Sequence, residues 1–184
     1  MRFQLLALFV LCLTLVVSAD VFKPKPYFEL IMDRFETIFE NKKYFEWNIK
    51  IKKINKTTRG IFGFAYFHVP IGNDIKFEGK VLKKQGGEYR YLPYGVKPEP
   101  ICDLFANDKY IYPDMSKNSD MPADIKNNCP MQPGNYSFNG VVFLLENVPK
   151  VILPSGDFAN EGIYYNAENE VIGIYRFYGQ INNV

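Results

Sequence analysis

Few residues in this chain of 184 could do covalent or acid–base chemistry. His68 is the one histidine, and histidine is the side chain most often used for proton transfer near neutral pH. It falls within the apolar run 61–69, which favours a structural imidazole over a catalytic base. No nucleophile elbow, phosphate-cradling glycine loop or zinc-ligand spacing occurs. Twenty acidic residues could always supply a carboxylate pair, but nothing singles out two of them, and a solvated face explains them better. The reading is that the protein is not an enzyme and uses no cofactor and no metal.

The thiols point instead to a compartment. Residues 1–19 have the three parts of a secretory leader: Arg2, an apolar run from Leu5 to Val17, and Val17 and Ala19 before Asp20. The run is about 13 residues, short of the roughly 20 that cross a bilayer, and no later stretch spans. Removal of residues 1–19 takes Cys12 with it and leaves Cys102 and Cys129, which are expected to pair in an oxidising environment. Asn55-Lys56-Thr57 and Asn135-Tyr136-Ser137 are glycosylation acceptors. The expected protein is therefore secreted and extracellular, with residues 20–184 as one domain. Taking Arg2 from the 22 basic residues leaves 21 against 20 acidic ones, and that balance gives no reason to expect a nucleic-acid partner.

The elements that would carry these residues are mostly strands. Phe45, Trp47, Ile49 and Ile51 alternate with Glu46, Asn48, Lys50 and Lys52, the period of a half-buried antiparallel strand. In 61–69, Phe62, Phe64, Tyr66 and His68 alternate with Gly63, Ala65 and Phe67. Ile75, Phe77, Gly79 and Val81 mark a third strand, and 88–94 a fourth after Gly86-Gly87. Residues 101–107 could make one or two helical turns. From 136 to 147 a long strand sets Phe138, Gly140, Val142 and Leu144 on one face and Val141, Phe143 and Leu145 on the other. Residues 163–166 and 171–180 form a closing hairpin across 167–170. The fold class is thus all-β, mainly antiparallel, a sandwich or cup of two sheets with one short helix. The aromatic content of 16 % fits either a bulky solid core or the wall of an apolar cavity, and periodicity alone favours the solid core.

The second half carries an ordered motif set: Cys102, then Cys129-Pro130, then Pro133-Gly134-Asn135-Tyr136 opening a strand, then Leu153-Pro154-Ser155-Gly156-Asp157-Phe158. With the closing strand 171–179, this set resembles a large family of insect secreted proteins that includes the CheB-type chemosensory proteins. Those are similar in turn to the ganglioside activator and the wider ML-type, immunoglobulin-like lipid-recognition fold. The resemblance implies a β-cup around an apolar cavity, with Phe45, Trp47, Ile49, Phe62, Phe64, Tyr66, Phe143, Leu145, Tyr175 and Phe177 as its wall. It also implies a small hydrophobic ligand or lipid as partner, a role in chemosensation, and a membrane receptor downstream. The ganglioside activator has more disulfides than the single bridge expected here, so its presentation of glycolipid to a hydrolase is not carried over. The rival reading is an extracellular protein-interaction module or receptor accessory with a solid core. An enclosed apolar volume of some 300 Å³ or more separates the two.

Overall fold

The computed structural model describes residues 28–144 and 155–183; the leader at 1–19, Leu145 and Leu153-Pro154 of the turn motif lie outside the described residues. Eight strands follow one another: β1 Phe28–Glu40, β2 Phe45–Lys53, β3 Arg59–Phe67, β4 Lys76–Gln85, β5 Glu88–Pro100, β6 Gly134–Val141, β7 Gly156–Tyr165 and β8 Val171–Asn183. Two short helices, α1 Ile101–Asn107 and α2 Tyr112–Lys117, and a 3-10 turn Ile125–Asn127 lie between β5 and β6. The strands pair antiparallel into a five-stranded sheet, β1-β8-β7-β4-β5, and a three-stranded sheet, β2-β3-β6. The architecture is the expected β-sandwich.

Alternation explains β2 and β4 directly. Phe45 is buried and Trp47 and Ile49 half-buried on the inner face of β2, while Asn48 and Lys50 are exposed. In β4, Phe77, Gly79 and Val81 look inward, whereas Glu78 and Lys80 pair with each other at 3.3 Å outside. The closing hairpin turns on Asn166, whose amide side chain both accepts from the Glu170 backbone N–H (2.8 Å) and donates to the Glu170 carboxylate (2.9 Å). Asn169 takes φ of 62° there, a left-handed position that asparagine tolerates better than most residues.

Register shifts occur in the β4–β5 and β7–β8 pairings, and in β1 and β6 they change which residues face the core. Along β1 the pairing with β8 shifts between Met32 and Arg34 and again between Thr37 and Phe39. Each bulge inserts an unpaired residue and reverses which parity faces the core, so Met32 is buried and Phe35 also faces inward. In β6, Ile61 pairs with Val141 but Phe62 with Asn139, leaving Gly140 as the extra residue at φ of 86°. Phe138 and Val141, three apart, therefore both point into the core, at 8 % and 0 % exposure. The even alternation expected for 136–147 does not hold over 136–144, the described part, where the strand ends at Val141.

The segment between β5 and β6 closes one end of the sandwich. Cys102 on α1 is disulfide-bonded to Cys129, with Cα atoms 6.2 Å apart. Ile71 and Met131 exchange backbone hydrogen bonds of 2.9 Å in both directions, and the Ile101 N–H donates to Ile75 O at 3.0 Å. Asp114 binds α2 to the end of β6, accepting from Lys117 Nζ (2.8 Å) and from the Leu144 N–H (2.9 Å). On the outer face of the large sheet, Glu161 is buried and takes Arg176 Nε and Nη2 at 2.7 Å and the Tyr91 hydroxyl at 2.9 Å. Burial lowers the affinity of that guanidinium for its proton, but hydrogen bonds to Tyr178 and Glu161 outweigh it and leave Arg176 above its ordinary range.

Candidate functional site: an apolar cavity between the sheets

The inner faces of the two sheets do not meet everywhere. Between them lies a cavity of about 1090 Å³, just above the roughly 300–1,000 Å³ usual for ligand pockets. Its small-sheet wall is Phe45, Trp47 and Ile49 of β2, Ile61, Ala65 and Phe67 of β3, and Phe138 of β6. Its large-sheet wall is Phe35, Phe77, Val81, Asn160, Tyr164, Tyr175 and Phe177. Left as an empty apolar void at about 24 cal/mol per Å³, that volume would cost roughly 26 kcal/mol. A domain holds only about 5–15 kcal/mol in reserve. Such a space must therefore be open to solvent or occupied.

The mouth lies where β5 faces the α1–α2 loop. Tyr94, Val96, Tyr110 and Ile111 line the cavity and are also exposed to solvent, at 37–41 %. Asp108 holds this loop, its carboxylate accepting from the backbone N–H groups of Tyr110 (2.8 Å) and Tyr112 (2.6 Å). Under the mouth, Phe105 stacks on Tyr112 at 4.7 Å, and the Tyr112 hydroxyl donates to Pro122 O at 2.6 Å. Among the described lining residues the one cation is Lys109, exposed at this rim.

Deep inside, the wall is a packed group of rings. Phe45 and Trp47 stack at 4.6 Å, and Tyr164 meets Phe45 at 5.3 Å, Trp47 at 5.6 Å and Phe77 at 5.2 Å. Tyr175 meets Trp47 at 5.8 Å and Phe35 at 5.5 Å. These rings approach the large sheet closely because it carries glycine beneath them. A Cβ at Gly173 would stand 2.5 Å from Phe45 and 2.7 Å from Trp47. Burial raises Tyr164 well above the usual tyrosine range and raises Tyr175 too, their rings 6.1 Å apart. Both phenols are therefore neutral at any physiological pH and can donate.

Of the residues expected in the wall, Phe45, Trp47, Ile49, Phe143, Tyr175 and Phe177 line the cavity. Phe62, Phe64 and Tyr66 do not: the inner face of β3 belongs to Ile61, Ala65 and Phe67, one residue out of step with the expectation. Both parities of this strand are apolar and the even one is the more aromatic, so composition points to the wrong face. Phe62 instead lies under Lys52 on the outside, 5.5 Å from its ammonium, and Tyr66 is 39 % exposed. Leu145 lies outside the described residues. His68 stands just past the end of β3, not within an apolar strand; it is exposed and 3.2 Å from Glu46 on the surface. Asn55 and Asn135 are both exposed. Sequence reasoning missed Asn160 and Tyr164; Phe77 and Val81 were legible, since their alternation already pointed them inward.

Among the described residues no group of three or more His, Cys, Asp or Glu could hold a metal ion, and no helix is long and apolar enough to cross a membrane. Residues 77–160 match a family described as a protein of unknown function, DUF1091. The matched stretch takes in nearly all of β4, then β5, both helices, the disulfide, β6 and the first half of β7, which together make the mouth and part of the wall. Phe45, Trp47, Tyr175 and Phe177, from the rest of the wall, stand outside it. No curated protein matches the chain.

Proposed function

We propose that this protein is a secreted carrier or binding protein for a small hydrophobic ligand, a lipid or a lipid-like chemical signal. The observation that carries the reading is the cavity of about 1090 Å³ lined almost entirely by aromatic and aliphatic side chains. Affinity would come from apolar surface removed from water, about 25 cal/mol per Å², with few polar groups to fix orientation. The leader at 1–19, the disulfide and the two exposed acceptor asparagines support an extracellular setting. The cysteine and turn motifs that resemble the CheB-type chemosensory proteins and the ML-type fold support a chemosensory role and a receptor at the cell surface. A binding role without turnover is supported by the position of the one histidine on the surface, away from the cavity.

Trp47 is the only tryptophan and lies in the wall, so its emission reports on the cavity alone. Titration with a panel of fatty alcohols, esters and phospholipids should shift or quench it and saturate at about one ligand per chain. A folded protein whose emission answers none of them would favour the interaction module instead.

A further inference from the structure

The wall of the cavity is not uniformly apolar. Asn160, Gly162 and Tyr164 follow one another on the inner face of β7, because residues two apart in a strand share a face. Across the pairing, Gly162 stands opposite Tyr175 of β8. The Tyr175 ring lies over that glycine so closely that a Cβ at position 162 would be 2.6 Å from its hydroxyl oxygen. The hydroxyl therefore sits above Gly162, between Asn160 on one side and Tyr164 on the other. The Tyr164 and Tyr175 rings lie 6.1 Å apart. The Asn160 side chain lines the cavity and has no hydrogen-bond partner among the described residues.

From this cluster we infer that the cavity takes a neutral apolar chain bearing one oxygen function, an ester, ketone or alcohol, whose oxygen is bound by Tyr175, Tyr164 and Asn160. The inference rests on the carrier reading and specifies its ligand. A pure hydrocarbon would leave the Asn160 amide and a phenol lone pair facing apolar atoms, and buried polar groups without partners are costly. A fatty-acid anion would bring a charge to a place where the described wall holds no cation; Lys109 is at the rim. A buried charge without a partner is disfavoured more strongly still. The two phenols, held neutral by burial, supply donors, and the amide supplies both a donor and an acceptor. An ester or ketone oxygen accepts from them, and an alcohol can also donate to the Asn160 carbonyl.

Three probes of equal chain length decide it: hexadecane, methyl palmitate and palmitate, each titrated against Trp47 emission and checked by native mass spectrometry. Methyl palmitate should bind roughly three- to tenfold tighter than hexadecane, the worth of one net hydrogen bond, and palmitate at neutral pH should be the weakest. In Tyr175→Phe and Asn160→Leu the preference of ester over hydrocarbon should fall toward one. Equal affinities for ester and hydrocarbon, or a preference that survives both substitutions, would overturn the assignment. So would tight palmitate binding that Lys109→Gln removes, since the polar end would then sit at the mouth. Failure of all three probes to bind would sink the carrier reading itself, a result distinct from binding without preference.

Discussion

Trp47 shows what a wall residue is, as distinct from a core residue. It stacks on Phe45 at 4.6 Å and meets Tyr164 and Tyr175 edge-on or tilted, and its backbone N–H donates to Glu40 at 2.7 Å. Yet it is only half-buried, because part of the indole faces open space. In a solid core, removal of such a ring costs about 3–5 kcal/mol. Here one side has no partner atoms to lose, so Trp47→Ala should cost clearly less, about 1–3 kcal/mol in a urea melt followed by circular dichroism. The larger effect should fall on ligand affinity, read by native mass spectrometry because the variant has no tryptophan. A loss at the full core value with affinity intact would mean that the indole packs on both sides.

The elements differ in how much of them could be read beforehand, and the difference is physical. β2 and β4 alternate without interruption, and their inner faces are the ones that alternation points to; β7 and β8 keep register from Gly156 to Tyr164 and shift between Tyr164 and Tyr165. β1 shows no strand period in the sequence, because two bulges between Met32 and Phe39 scramble it. The sequence of β6 promises a longer and more regular strand than forms, since the bulge at Gly140 reverses its parity. In β3 the period is intact but both faces are apolar, the outer one more aromatic than the inner. The choice of Ile61, Ala65 and Phe67 over Phe62, Phe64 and Tyr66 comes from pairing, with Gly63 so close to the Asn48 carbonyl that no Cβ fits there. The candidate site was half legible for this reason: wall residues on the regular strands were found, and the polar pair Asn160 and Tyr164 was not. The α1–α2 segment has no long period at all and relies on covalent tethering. Its bridge spans 27 residues, worth about 3.5 kcal/mol by loop-closure entropy. A Cys102→Ala, Cys129→Ala double variant should therefore unfold at distinctly lower urea and bind ligand more weakly, because this segment forms the mouth. Unaltered stability in the double variant would show that backbone bridges such as Ile71–Met131 hold the segment alone.

At the scale of the molecule, one sheet has two different faces to stabilise. The inner face of the large sheet borders a cavity and gains less packing there than a filled core would give. Its outer face carries the buried Glu161 with Arg176 and Tyr91, and a second small cluster of Leu82, Ala159 and Tyr178. Tyr178 also donates to Glu36 at 2.8 Å and lies 3.9 Å beneath the Arg34 guanidinium. The sheet can therefore hold its shape from outside while its inner surface stays available. The account stands or falls on whether that inner surface meets a guest. The direct measurement is native mass spectrometry of the protein secreted from eukaryotic cells and purified without detergent, before and after incubation with lipid vesicles. The expected result is a species heavier than the polypeptide and any attached glycan by one apolar molecule, lost on extraction with organic solvent. Polypeptide mass alone, both as purified and after the vesicles, would contradict it.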